Sequence, residues 1–385
     1  MTAAVRATRQ AWMTDAHCSL DDFRAQVLCD TDPADYPLAS EIRSNVPVYD
    51  ADSAADRRVL QSELIRALAD GPGVVVFKAA FTPDLIEATN EAFFAIIEAQ
   101  HVAGSAAGDH FGRPGANDRI WNAAQKLALH APRAFTEYYS NDTLAAVCQA
   151  WLGPRYQVTS QVNVVNPGGT QQVPHRDYHL GFVPVEHLAS YPAHLHRTSP
   201  LLTLQGAVAH CDMPVESGPT MLLPHSQRFD AGYIAFNRPE FIEFFAEHHV
   251  QLPLAKGDAV FFNPALYHGA GSNISTDIRR IANLLQISSP FGRAMEALDR
   301  TAMVRAVYPE LRAMKSAGRP QQDLVNVVVA TAEGYAFPTN LDRDQPIGSL
   351  APPSQVDTVL AALADDLTSE ELDAALRDQN DRRIP

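Results

Sequence analysis

The run Gln161-Val162-Asn163-Val164-Val165-Asn166-Pro167-Gly168-Gly169 and the string His175-Arg176-Asp177 that follows it decide how this chain is read. The first five residues are rich in β-formers, and Asn-Pro-Gly-Gly is a turn signal. A strand therefore runs into a turn, and His175-Arg176-Asp177 lies on or just after the extended segment beyond it. Residues i and i+2 of extended backbone share a face, so His175 and Asp177 project together while Arg176 points away. Outward from this pair, a third residue of matching chemistry must arrive on a distant strand folded back alongside. Ala259-Val260-Phe261-Phe262 reads as such a strand, introduced by the turn Lys256-Gly257-Asp258, and His268 follows shortly after it. The next run, from Ile278 to Ile287, again reads as buried strand.

Two imidazoles and one carboxylate form the donor set that binds Fe(II) on one face and leaves positions open for a cosubstrate and O2. Zinc is the rival metal, but the helical HExxH signature of zinc hydrolases does not occur. Arg279 and Arg280 follow His268 at a distance that allows one guanidinium to grip a cosubstrate carboxylate with paired hydrogen bonds. Strand alternation sends only one of the two inward and does not say which.

The ordered motifs carry a resemblance. Gly73-Val74-Val75-Val76-Phe77 precedes an amphipathic helix. Gln172 and His175-Arg176-Asp177 come next, then Glu216-Ser217-Gly218-Pro219, Leu223-Pro224-His225-Ser226, Lys256-Gly257-Asp258, His268-Gly269 and Arg279. In this order, over residues 70 to 290, the chain resembles the phytanoyl-CoA dioxygenase family of Fe(II)- and 2-oxoglutarate-dependent oxygenases. The resemblance implies a mainly β fold with flanking helices around a double-stranded β-helix, that is, a jelly-roll or cupin-like core. It implies Fe(II) as cofactor, with 2-oxoglutarate and O2 as cosubstrates. His175, Asp177 and His268 would be the catalytic metal ligands. The family's spacing selects Arg279 over Arg280 for the 2-oxoglutarate carboxylate, and Gln172 and Thr203 are further candidates for cosubstrate contact. The chain departs from the family at Ala270, where serine is common two residues after the distal histidine. A longer stretch from 182 to 202 and the region after 295 also depart from the pattern.

Composition narrows the remaining classes. The chain has 385 residues, 46% of them hydrophobic, which suffices for one large core with attached segments. Its net charge of −15 argues against a nucleic-acid surface, which needs clustered Lys and Arg. No apolar run approaches the roughly 20 residues of a membrane span. Met1 to Trp12 lacks the apolar stretch of a secretory signal. Cys18, Cys29, Cys148 and Cys211 show no CxxC spacing and read as reduced thiols. A cytoplasmic enzyme acting on a small molecule is expected, with oligomeric state undefined.

The chain divides on pattern into an N-terminal extension (1–55), an oxygenase domain with helices (56–295) and a helical C-terminal extension (296–385). Asp56 to Leu68 reads as a helix leading to the strand Val74 to Phe77. Thr82-Pro83-Asp84 opens a helix running to about Gln100. Residues 104–120 read as a loop near the site, and with the 182–202 stretch they are expected to flank the mouth as lids. Ala294 to Lys315, Gln355 to Leu363 and Ser369 to Arg377 read as helices.

Other candidates are weaker. His179, two residues beyond Asp177, is a substrate candidate or an orienting neighbour of the ligands. Arg119 and Trp121 are candidates for the substrate pocket, with a core role the bland reading for Trp121. His194-Leu195-His196 has metal-like spacing but reads as solvated loop. His225 reads as structural, and His248-His249 as a helix C-terminus. The expected reaction oxidises a C–H bond of a small metabolite, usually by hydroxylation, while 2-oxoglutarate becomes succinate and CO2. Asp177 speaks against halogenation, because a halide would need its place. The alternatives are a metal-dependent hydrolase or isomerase, and a non-catalytic cupin-like binding protein. The substrate itself is not legible. The motifs carry no Lys/Arg cluster of the kind that CoA phosphates want.

Overall fold

The computed structural model describes residues 11–52, 56–104 and 117–385. Eleven strands form two sheets. They are β1 (Glu41–Arg43), β2 (Val46–Asp50), β3 (Val74–Lys78), β4 (Asn117–Ile120), β5 (Gln157–Val165), β6 (Thr203–Ala209), β7 (Met221–Leu223), β8 (Val250–Gln251), β9 (Ala259–Phe262), β10 (Tyr267–Gly269) and β11 (Arg280–Ser288). The large sheet has the order β1-β2-β3-β9-β6-β11-β5-β4, and the small one β10-β7-β8. Pairing is antiparallel except between β2 and β3, so the large sheet is mixed.

Alternation along the strands creates two environments. Ile281, Leu285 and Ile287 of β11, with Val158, Val162 and Val164 of β5, join the main core under the helices. Ala207 and Ala209 of β6, Val260 and Phe262 of β9 and Ala282 of β11 face the other way. There they meet Leu222, Leu252 and Leu254 on the small-sheet side. The layer of helices on the outer face is thick. It includes Arg57–Ala69, Pro83–Val102, Asp142–Leu152, Arg300–Ser316 and Gln321–Thr331. Helical residues outnumber strand residues among those described, so the chain is a large mixed sheet with flanking helices rather than mainly β. The extra helix arises because the outer sheet face is largely apolar and must be covered.

Most element readings fall within a few residues of the structure. Asp56 caps the first long helix by accepting from Arg58 N and Val59 N, and Thr82 caps the second through Leu85 N. Three readings are corrected. Residues 117–120 form β4 instead of continuing a loop, because Asn117–Ile120 pairs with Val162–Val165. The helix expected from residue 294 begins at Arg300, where the Asp299 carboxylate accepts from Ala302 N. His196 lies in the short helix Ala193–Thr198, buried, its Nε2 3.1 Å from Leu188 O, and is not solvated. The lid segment 105–116 lies outside the described residues.

The sheet runs across residue 55, since β1 and β2 extend it through β3. The C-terminal helices likewise share the main core through Val307, Leu311, Val359 and Leu376. Among the described residues no helix is long and apolar enough to cross a membrane.

Candidate metal centre and cosubstrate cavity

His175, Asp177 and His268 come together at the edge of the small sheet. His175 and His268 form an isolated antiparallel bridge, with His175 N donating to His268 O at 3.0 Å. Asp177 N donates to Pro264 O at 3.0 Å, which pins the second end of the pair. The ligand atoms of all three side chains lie within 4.8 Å of one another. Nδ1 of His175 lies 3.0 Å from Val173 O, and Nδ1 of His268 lies 2.8 Å from Leu266 O. Each carbonyl holds the proton on Nδ1 and leaves the Nε2 lone pair free. Both Nε2 atoms face Asp177, at 3.7 Å from Oδ1 and 3.5 Å from Oδ2. Burial raises the Asp177 carboxyl, but the imidazoles of His175 and His268 and the Gln205 amide outweigh it and hold the group at about 2. Burial, helped by His268, pushes the His175 imidazole down. The result is a carboxylate flanked by two imidazoles whose Nε2 atoms converge on it, a donor set suited to a cation.

The neighbouring sequence motifs explain how these residues are held. Arg176, which points away from the ligands, is fully buried. Its Nη2 donates to Ser226 O at 2.6 Å and to Phe229 O at 3.0 Å, and its guanidinium lies 5.1 Å from the rings of both Tyr233 and Tyr267. The Leu-Pro-His-Ser turn supplies this clamp. His225 takes φ +70°, and Ser226 Oγ donates to Leu223 O and accepts from Tyr267 N. The His225 imidazole is buried, its Nε2 3.1 Å from Thr31 Oγ1, so the turn is structural. At the Gly-Asp turn, Asp258 accepts from Ala79 N and Ala255 N, joining β9 to β3.

The triad opens into a cavity of about 1060 Å³ between the two sheets. Deep on its wall stands Arg280, 7% exposed. Its Nη1 reaches only two carbonyls, Ser217 O and Gly271 O, each at 3.4 Å, and it has no ion pair among the described residues. Burial pulls it down to about 10. The Glu-Ser-Gly-Pro turn builds this corner. Gly218 has φ +76°, and a Cβ there would stand 2.5 Å from Gly271 O and Ser272 O, so the loop seats only glycine.

Arg279, which the spacing selects, is placed elsewhere. It lies one residue before β11, half exposed, 3.6 Å from Asp118 Oδ2 and 5.7 Å from the Phe94 ring, and is not on the cavity wall. The reason is register: Arg280 is the first paired residue of β11, opposite Val165, and shares its face with Ala282, Leu284 and Gln286. Gln172 lines the cavity, with its Oε1 accepting from Ala270 N at 3.1 Å. Thr203 is buried at the start of β6 and is not on the wall. Arg119 and Trp121 line the cavity together, the guanidinium 4.5 Å from the indole. His179 takes φ +46° beside the ligands and is not on the wall.

One neighbour was not read from the sequence. Gln205 Nε2 donates to Asp177 Oδ2 at 2.5 Å. The amide occupies one carboxylate oxygen and turns the other, Oδ1, toward His175. Its only sequence signal is a lone carboxamide in the otherwise apolar run of β6.

The profile of the family Phytanoyl-CoA dioxygenase (PhyH) matches residues 69–281, more than half of the chain. The chain belongs to the phytanoyl-CoA dioxygenase family. The class is that of Fe(II)- and 2-oxoglutarate-dependent dioxygenases, and the donor set described above fits its metal. Among solved structures, the chain is similar to the non-heme α-ketoglutarate-dependent carbocyclase SnoK from nogalamycin biosynthesis. That pair is 17% identical with a TM-score of 0.45, covering 62% of this chain and 86% of that one. It is also similar to the epimerase SnoN from the same biosynthesis, at 18% identity and a TM-score of 0.41 over 61% and 84% of the two chains. AviO1 from Streptomyces viridochromogenes Tue57 is 17% identical with a TM-score of 0.44, over 63% of this chain and 99% of that one. No curated protein matches the chain.

Proposed function

We propose that this protein is an Fe(II)- and 2-oxoglutarate-dependent dioxygenase that oxidises a C–H bond of a small-molecule metabolite, with the two sheets as the faces of a double-stranded β-helix. The observation that carries this reading is a pair of incomplete sites sharing one cavity. One is a His-Asp-His cluster with its lone pairs convergent; the other is a buried guanidinium with no carboxylate partner among the described residues. The first asks for a cation and the second for an anion. 2-Oxoglutarate, with one carboxylate and keto group for the metal and a second carboxylate to spare, answers both.

His175, Asp177 and His268 would hold iron. Arg280 would bind the distal carboxylate of 2-oxoglutarate, in the place that spacing alone gives to Arg279. Bound iron and 2-oxoglutarate supply the oxidising chemistry, consuming O2 and releasing succinate and CO2 as the substrate is oxidised. The chain's own contribution is orientation and dryness. Arg280 fixes the cosubstrate end to end. Leu222, Leu252, Leu254 and Phe262 keep water from that end of the cavity. Gln205 holds Asp177 in one rotamer. Gln172 braces the strand that carries His268 by gripping Ala270 N.

The test is succinate formation from 2-oxoglutarate by purified protein, with and without Fe(II) and O2. Iron- and oxygen-dependent succinate, lost in Asp177→Ala, is the expected result. Zinc-supported hydrolysis without succinate would favour a hydrolase, and no turnover with any metal a binding protein.

A further inference from the structure

The large-sheet wall of the cavity carries a row of polar side chains that metal and cosubstrate leave unused. Gln205 on β6 and Gln286 on β11 are direct cross-strand partners. Gln161 on β5 donates from Nε2 to Gln286 Oε1 at 3.1 Å, and Arg119 on β4 donates from Nη2 to Gln161 Oε1 at 2.6 Å. Four adjacent strands thus bear one row of polar side chains, hydrogen-bonded from Gln286 through Gln161 to Arg119, which lies over Trp121, while Gln205 at the other end bonds to Asp177. Asn163, two residues from Gln161 on β5, turns to the same cavity.

Two acceptors on this wall lack a donor. Gln205 Oε1 and Asn163 Oδ1 are buried on the wall with no hydrogen-bond partner among the described residues. The flip of Gln205 is not free to choose. A carboxylate only accepts, so the NH2 must face Asp177 and the carbonyl must face away from it. Gln205 is 5% exposed, and a carbonyl buried that deeply is costly to leave bare. Charge does not favour an anion here. The Glu296 carboxylate sits beside Gln161 at 3.4 Å, accepts from Asn122 N, and faces Arg119 closely enough for the two to interact, offsetting the guanidinium.

We propose that this row is the substrate-reading surface and that the primary substrate is a neutral molecule presenting hydroxyl or N–H donors beside the carbon that is oxidised, not a polyanionic thioester. The placement of the reacting carbon rests on the metal-site reading above; the donor preference rests on the amides alone. A site built around bare acceptors discriminates strongly against analogues lacking the donor, because its own groups then stay unpaired.

The experiment uses the full chain with excess Zn(II), which is redox-inert, and excess 2-oxoglutarate, so that Asp177 and Arg280 are both occupied, with ligand-observed saturation-transfer NMR. The probes are cyclohexanol, cyclohexanone, cyclohexanecarboxylate and coenzyme A. Cyclohexanol should bind about five-fold tighter than cyclohexanone, the scale of one net hydrogen bond, and tighter than either anion. Asn163→Leu with Gln205→Leu should bring the alcohol down to the ketone, while Asn163→Asp, which keeps an acceptor, should not. Equal binding of ketone and alcohol, tightest binding of an anion, or an alcohol preference that survives the double substitution overturns the proposal. Should a variant fail to fold, the wild-type ranking still decides. Iron binding is measured separately by equilibrium dialysis. Its absence would remove the oxygenase reading and leave the donor preference standing.

Discussion

At the scale of single residues, the chemistry turns on which arginine faces inward. Arg280→Ala should weaken 2-oxoglutarate binding about 30-fold or more, because a buried carboxylate loses its charged partner at a cost of about 2–5 kcal/mol. Arg279→Ala, already solvated and 3.6 Å from Asp118, should change it by less than about two-fold. Titration of both variants separates them, and the reverse ranking would mean that the strand register is wrong. The cluster of His175, Asp177 and His268 was legible because i, i+2 geometry and ligand chemistry are local properties. Which arginine lines the cavity was not, because the start of β11 depends on the loop before it. A signal was nevertheless present. Ile281, Leu285 and Ile287 form the more apolar set and therefore face the helices, leaving Arg280 with Ala282 and Gln286 toward the cavity. Gln205 makes a second prediction at this scale. Gln205→Leu frees Asp177 Oδ2 and should lower iron affinity about ten-fold or more, in the range measured when groups behind metal ligands are removed. Unchanged iron binding would show that the amide does not orient the carboxylate.

At the scale of elements, the site depends on how the small sheet is tied to the ligand segment. Arg176 does this, and Gly232 makes the room: a Cβ there would fall on the Arg176 guanidinium. The guanidinium cannot retreat, held by Ser226 O and Phe229 O between Tyr233 and Tyr267. Gly232→Ala should therefore cost about 1–3 kcal/mol by overpacking and should also loosen iron, since Arg176 stands between two ligands. Urea unfolding and iron dialysis measure the two effects; an unshifted midpoint would refute the clamp. Sequence pattern located the helices at 57, 83, 355 and 369, and in the structure each opens on a cap that acts within one turn, Asp56, Thr82, Ser354 and Thr368. It missed β4, whose partner β5 lies far along the chain, and it missed the helix Gln321–Thr331, which the main core buries.

At the scale of the whole molecule, the core encloses histidines that stay neutral. His210 is buried, its Nδ1 2.7 Å from Asn90 Oδ1 and its Nε2 3.0 Å from Tyr138 Oη, and burial pushes it down to about 3. Burial, reinforced by Arg228, brings His225 to about 4. The unfolded chain takes up these protons near pH 6.5 and the folded chain does not, so stability is full above about pH 6.5 and falls as pH drops toward 4 and then 3. Each shift exceeds two pH units, which amounts to several kcal/mol in order of magnitude at the acid end. Urea midpoints measured from pH 7.5 to 4.5 should decline, and His210→Gln should flatten the slope; a flat wild-type profile would contradict this. Composition indicated one large core, but the helical layer is a tertiary consequence of the sheet's largely apolar outer face. The central claim is that triad and Arg280 form one site for Fe(II) and 2-oxoglutarate. Anaerobic titration of 2-oxoglutarate into iron-loaded protein, followed by visible charge-transfer absorption, tests it most directly. A saturable band is expected in the wild type, absent in Asp177→Ala and shifted to much higher 2-oxoglutarate concentration in Arg280→Ala; no band in the wild type, or one indifferent to both substitutions, would rule out a shared site.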